Sequence, residues 1–245
     1  MKKLYIPGIV FLITMIPSVN IFAQDSELYI SLNFQKAYKN KTRSMSGLPG
    51  SNYWQNQANY QIDVDFDPKS RLLKGKAKIT YFNNSPDTLR EMYINLFPNI
   101  FKKGQIRDEV VEYSDETDGL TIENISINKA VVDTAKENEK IIYGPTNLKV
   151  ILDSVIPPKT QAPINIKWHY IINKGSHSRT GGVDSTTFFI AYFFPHIAVY
   201  DDIDGWDDFH FKGDAEFYND FGDFDVNITV PENFVVWGTG SLQNP

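Results

Sequence analysis

Residues 53–103 read YWQNQANYQIDVDFDPKSRLLKGKAKITYFNNSPDTLREMYINLFPNIFKK, and this stretch decides the fold class. From Tyr60 to Asp67 apolar and polar residues alternate without a slip. Tyr60, Ile62, Val64 and Phe66 share one face, while Gln61, Asp63, Asp65 and Asp67 share the other. A period of two is that of a half-buried β-strand. Pro68-Lys69-Ser70 supplies turn chemistry. A second strand follows, with Leu73, Ala77, Ile79 and Tyr81 set against Lys74, Lys76, Lys78 and Thr80. Asn83-Asn84-Ser85-Pro86-Asp87 turns the chain again, and Met92, Ile94 and Leu96 open a third strand. The pattern predicts an antiparallel meander with one wet face.

Working outward, the strand signals continue. Leu120, Ile122, Ile125 and Ile127 mark a strand with an irregularity near Asn124. Asp133 to Lys140 is charged and reads as a hairpin loop. Leu148, Val150 and Leu152 alternate, Pro157-Pro158-Lys159-Thr160 turns the chain, and Ile164, Ile166, Trp168, Tyr170 and Ile172 alternate again. Phe188 to Phe194 is a continuous apolar run, the pattern of a strand buried on both faces. Phe224, Val226, Ile228 and Val230 form a further strand. No window of twelve carries helical periodicity. The expected fold is all-β, a twisted antiparallel sandwich or saddle of two sheets.

A chain of 245 residues with 42% hydrophobic and 14% aromatic content can build a core. Its net charge of −6 argues against nucleic acid, since phosphate binding needs a basic surface. Lys2 and Lys3, the apolar run Leu4–Ile16, and Ile21-Phe22-Ala23 before Gln24 read as a cleaved signal peptide over residues 1–23. Pro17, Ser18 and Asn20 keep that run short of a membrane span. The expected location is therefore periplasmic or extracellular, with no transmembrane span after cleavage. The chain has no cysteine, which removes disulfides, thiolate metal sites and lipid attachment through an N-terminal Cys. Residues 24–52 read as a polar lead-in, and residues 53–245 as one β-domain.

Several short motifs in fixed order carry a family resemblance. They are Leu73-Lys74-Gly75, Thr80-Tyr81-Phe82-Asn83-Asn84, Ser85-Pro86-Asp87-Thr88-Leu89 and Asn95-Leu96-Phe97-Pro98-Asn99. Further on come Phe194-Pro195-His196-Ile197-Ala198-Val199-Tyr200-Asp201-Asp202, Gly205-Trp206, Glu216-Phe217-Tyr218, Ile228-Thr229-Val230-Pro231 and Thr239-Gly240-Ser241-Leu242. In this order they resemble the N-terminal β-domain of aminopeptidase-N-like zinc metallopeptidases. The resemblance implies a thermolysin-like catalytic domain as partner, with peptide as substrate of the intact enzyme only. It also implies that zinc sits in that missing domain. The family's H-E-x-x-H helix, whose histidines hold zinc beside a water-activating Glu, is not in this chain. Of His169, His177, His196 and His210, none is followed by Glu. No cofactor is expected here, and no catalytic residue. The family's N-terminal domain also places a Gln or Glu some ten residues before the Phe-Pro pair, where it helps hold the substrate amine. Here Asp184 is the only carboxylate in that stretch, so it is the candidate substrate-binding residue.

Other candidates stand beside that reading. Asp201 to Asp225 holds ten acids against one lysine, Lys212, and oxygen-rich clusters bind calcium. An EF-hand register fails, because it would put Tyr200 and Phe211 at ligand positions. His196 and His210 flank the stretch and could join a divalent site. Trp206, in the acidic loop, is the tryptophan placed to be exposed; Trp168 reads as core, and Trp54 and Trp237 lie in strand-like contexts. The rival function is therefore a stand-alone envelope β-sandwich module that binds glycan or peptide.

Overall fold

The computed structural model describes residues 29–134, 138–177 and 179–244. The signal segment read at residues 1–23 lies outside them. Contacts divide the chain into a unit ending at Ser31 and one from Leu32 to Pro245, and every sheet belongs to the second.

The strands are β1 (Gln57–Asp67), β2 (Leu72–Asn83), β3 (Leu89–Asn95), β4 (Thr121–Ile127), β5 (Ala130–Val132), β6 (Ile141–Tyr143), β7 (Asn147–Ile156), β8 (Thr160–Ile171), β9 (Thr180–Gly182), β10 (Phe188–Ile190), β11 (His196–Ile197) and β12 (Phe224–Thr229). One sheet runs β12-β1-β2-β8-β4-β5, a second runs β11-β3-β7-β6, and β10-β9 form a small ribbon. The fold is an all-β sandwich. Tyr60, Ile62 and Val64 of β1 and Ile164, Ile166 and Trp168 of β8 meet Met92, Ile94, Leu148 and Val150 of the second sheet in one apolar cluster. Alternation in the sequence therefore marks the faces correctly. Burying each of these side chains contributes about 1.5–3 kcal/mol, less the cost of ordering it.

Local chemistry fixes the register. Asp67 closes the β1–β2 turn by accepting from the Lys69 N–H and the Ser70 hydroxyl. Gly75 lies opposite Trp168 across the β2–β8 ladder. A Cβ on Gly75 would sit 2.2 Å from the indole Cζ2, so only glycine fits there. The irregularity near Asn124 is a register shift between Ile122 and Asn124 in the β4–β8 pairing. A buried amide knot joins two turns. The Asn83 amide reaches the carbonyls of Asp87, Ile156 and Pro157. The Asn56 oxygen accepts from the Asn84 and Ser85 N–H groups.

Four features depart from the sequence reading. First, β12 runs parallel to β1, from Tyr60↔Phe224 to Asp65↔Thr229, so the sheet is mixed. All the strands from β2 to β11 lie between these two parallel partners, and alternation carries no information on direction. Second, Phe188–Phe194 is not a strand buried on both faces. Only Phe188–Ile190 is strand, paired with β9 at the margin, and Phe189 is exposed. Third, the strands flanking the segment read as a hairpin loop, Asp133–Lys140, do not pair with each other: β5 pairs with β4 and β6 with β7 in the other sheet, and residues 135–137 lie outside the described residues. Fourth, the segment read as a polar lead-in contains a helix, α1 (Leu32–Asn40). Its nine residues make only about two and a half turns, too few for a helical period to stand out in the sequence. The following turn is tied to the fold through Arg43, whose guanidinium grips Asp202 at 2.6–3.1 Å.

Candidate interaction surface

Asp184 is exposed in the turn between β9 and β10. Its carboxylate accepts from the Thr186 N–H at 2.7 Å and the Thr186 hydroxyl at 2.8 Å. These bonds to its own turn, the backbone N–H foremost, hold its carboxyl below the usual range.

The histidines do not converge. His169 pairs with Glu123 at 2.7 Å on the surface. His196 is buried against Tyr60, Phe97 and Phe194, and its Nδ1 faces the Ile197 carbonyl at 2.9 Å. Burial pushes its pKa down to about 4, so the ring is neutral. His210 buries Nδ1 without a hydrogen-bond partner. Among the described residues no three His, Asp or Glu groups lie close enough to hold a metal ion. They therefore do not fit a zinc centre.

One pairing the sequence did not show is Asp115 with His177. The Asp115 carboxylate is buried, meets His177 Nε2 at 2.7 Å and accepts from the Gly175 N–H at 2.5 Å. Burial opposes its ionisation, but the Gly175 N–H and His177 outweigh that and keep its carboxyl below the usual range. The two residues are 62 positions apart, so no local pattern could reveal the pair.

The acidic stretch is largely consumed by structure. Asp201 accepts from the Ile203 and Asp204 N–H groups and from the Tyr218 hydroxyl. Asp202 pairs with Arg43, and Glu216 pairs with Arg179. Asp220 is mostly buried beside Gln55, and that burial pushes its pKa up to about 6. Trp206 is not an exposed platform. It packs against the core among Tyr81, Tyr93 and Tyr200. Trp54 stacks on Tyr200, whereas Trp237, read as strand-like, is 96% exposed outside any strand.

The surface that stands out is at β12. Phe224, Val226 and Ile228 are in register with the buried Tyr60, Ile62 and Val64, and so point to the core side of the sheet. Yet they are 48%, 38% and 43% exposed. The second sheet ends at β11. Phe224 stacks on Tyr60 and meets Phe194 edge-on. Phe221, Val235 and Trp237 nearby in sequence are exposed as well. Among the described residues no second layer covers Phe224, Val226 and Ile228 fully.

No protein-family model and no curated protein matches the chain. Solved structures share a partial likeness. An M1 zinc metallopeptidase mutant from Deinococcus radiodurans, bound to a Tyr-Ser-Ala substrate, is 10% identical with a TM-score of 0.31, over 54% of this chain and 24% of its own. A two-domain M1 zinc metallopeptidase mutant bound to L-tryptophan is 10% identical with a TM-score of 0.33, over 54% of this chain and 24% of its own. Legionella pneumophila aminopeptidase A in complex with aspartic acid is 13% identical with a TM-score of 0.28, over 57% and 12%. The chain thus spans a quarter or less of the length of each. Among the described residues no helix is long and apolar enough to cross a membrane.

Proposed function

We propose that this chain is the non-catalytic N-terminal β-domain of an exported, aminopeptidase-N-like zinc metallopeptidase. It packs on the catalytic domain and walls one side of the substrate cleft. The ordered motifs support the family. Their two distant halves also lie together in the fold, since His196 of the Phe194-Pro195-His196 segment pairs with Asn95 of the Asn95-Leu96-Phe97-Pro98-Asn99 segment. The observation that carries the role is the half-exposed apolar face of β12. Completing the burial of Phe224, Val226 and Ile228 would contribute roughly 2–4 kcal/mol, which makes the face a natural seat for another domain. The rival glycan-binding module loses its platform, because Trp206 is packed inward.

Zinc bound by the catalytic domain would activate the attacking water. This chain would bring shape, and Asp184 would be its candidate contact to the substrate amine. The reading is tested in two steps. The purified chain with added zinc should show no chelator-sensitive hydrolysis of aminoacyl-nitroanilides. The reading frame following the Pro245 codon should encode H-E-x-x-H, and a frame without it sinks the proposal.

A further inference from the structure

A cleft of about 200 Å³ opens at the end of β3. Sites for drug-sized molecules run to roughly 300–1,000 Å³, so the occupant of this one is small. Two backbone anchors build it. β3 ends at Asn95, which pairs with His196 of β11. Two residues past β11, the Val199 carbonyl accepts from the Asp207 N–H at 2.8 Å. Asn95 and Asp207, far apart in sequence, thereby line the same cleft. Phe97, Phe211 and Phe217 form its wall, with ring centroids 4.3, 4.6 and 5.6 Å apart in the three pairs.

The polar groups of the cleft are unspent. Asn95 is only 4% exposed, yet its side-chain amide makes no hydrogen bond among the described residues. A buried amide without a partner costs free energy that a ligand's hydroxyl would recover. Asp207 is half-buried, and one of its oxygens accepts from the Phe209 N–H at 3.3 Å. Among the described residues no Lys, Arg or His pairs with it. Glu216, the other acid of the cleft, is already tied to Arg179. Burial, opposed by the Phe209 N–H and reinforced by Asp208, Asp201 and Asp204, holds the Asp207 carboxyl above the usual range. The cleft thus lacks a positive charge. An anion would be repelled there, and a neutral apolar guest would bury the carboxylate further without a counter-ion. A metal ion would need several oxygen ligands, and no such group stands here among the described residues. An ammonium head satisfies both the carboxylate and the electron-rich ring faces.

We infer that this cleft binds a small organic cation, with its ammonium head between Asp207 and the phenylalanine rings and a hydrogen-bonding group at the Asn95 amide. The site is separate from β12 and from Asp184, and its chemistry does not rest on the docking role above.

The test titrates the purified chain calorimetrically with choline, which carries an ammonium head and a hydroxyl. Its neutral carbon isostere, 3,3-dimethylbutan-1-ol, is titrated alongside. Choline should bind with a Kd of roughly 1 mM or tighter, and the isostere at least about tenfold more weakly. Asp207→Asn keeps the oxygen that accepts from the Phe209 N–H and removes the charge, so it should abolish the preference for choline. Phe217→Leu keeps an apolar wall without a ring face, and it should weaken choline more than the isostere. Should either variant fold poorly, the comparison of the two probes on the unmodified chain decides alone. Absence of saturable choline binding would overturn the inference. So would equal affinity for the two probes, which would make the cleft merely apolar, or choline affinity indifferent to both substitutions. Displacement of choline by an equal concentration of calcium would assign the site to a metal ion and overturn it as well. None of these outcomes bears on the reading frame after the Pro245 codon, so the two proposals fail separately.

Discussion

Replacing Gly75 by alanine should be among the most damaging single-methyl changes in this protein. The added Cβ would lie 2.2, 2.5 and 2.7 Å from three indole carbons of Trp168. Carbon atoms rest at about 3.5–4.0 Å, so the ring must retreat by more than an ångström. It has nowhere to go, because Trp168 is 1% exposed and its N–H donates to the Phe193 carbonyl at 3.0 Å. Overpacking costs about 1–3 kcal/mol, and straining or losing the indole hydrogen bond costs about 1 more. The sum is roughly 2–4 kcal/mol, or about 5–15 °C in Tm for a domain of this size. Urea unfolding of Gly75→Ala should show a lower midpoint with an unchanged slope. Trp168→Phe removes the carbons that the methyl meets, so the double variant should be less destabilised than the sum of the singles by at least about 1 kcal/mol. A loss under about 0.5 kcal/mol for Gly75→Ala, or strict additivity in the cycle, would refute this account of the β2–β8 contact.

Arg43→Ala should cost about 2–4 kcal/mol, because the Asp202 side chain is 3% exposed and would be left as an unpaired charge. Limited proteolysis should then cut the segment between α1 and β1 faster than in the parent, and equal rates would show that the ion pair is dispensable. His196 gives stability that is full above its unfolded pKa of about 6.5 and lost as the pH falls towards its folded value of about 4. Asp220 has the opposite sign: its folded pKa of about 6 lies above the unfolded value, so its contribution is full below about pH 4 and lost as the pH rises through 6. The two trends oppose each other between about pH 4 and 6. Asp220→Asn should therefore raise stability at pH 7 by about 1–2 kcal/mol and expose a steeper acid loss, and an unchanged unfolding profile would rule that out. In the intact enzyme that the proposal requires, Asp184→Asn should raise KM with kcat unchanged, and an unaltered KM would remove Asp184 from the substrate site.

The sequence was most legible where one face of a strand is wet. The alternation from Tyr60 to Phe66 and from Ile164 to Tyr170 marks the buried face of β1 and β8, because burial imposes the period directly. Phe188–Phe194 misled because continuous apolarity fits any buried path, and here the chain leaves the ribbon after Ile190 to cover the core edge. Alternation at Phe224, Val226 and Ile228 tells which face is apolar, but not whether a second layer lies over it. Strand direction and the extent of the opposing sheet are tertiary facts, so the candidate interaction surface could be seen only in the fold. The Asp115–His177 pair and the inward turn of Trp206 were hidden for the same reason.

The amide knot of Asn56 and Asn83 does in this cysteine-free chain what a cross-link does elsewhere: it staples turn to turn where the sheets connect. Such a staple is indifferent to thiols and oxidants, so the fold should hold equally on either side of a cell membrane. Its vulnerability is chemical ageing. Hydrolysis of one of these side-chain amides would put a carboxylate into a fully enclosed site, and the lifetime of the molecule would then be set by heat and time rather than by redox poise.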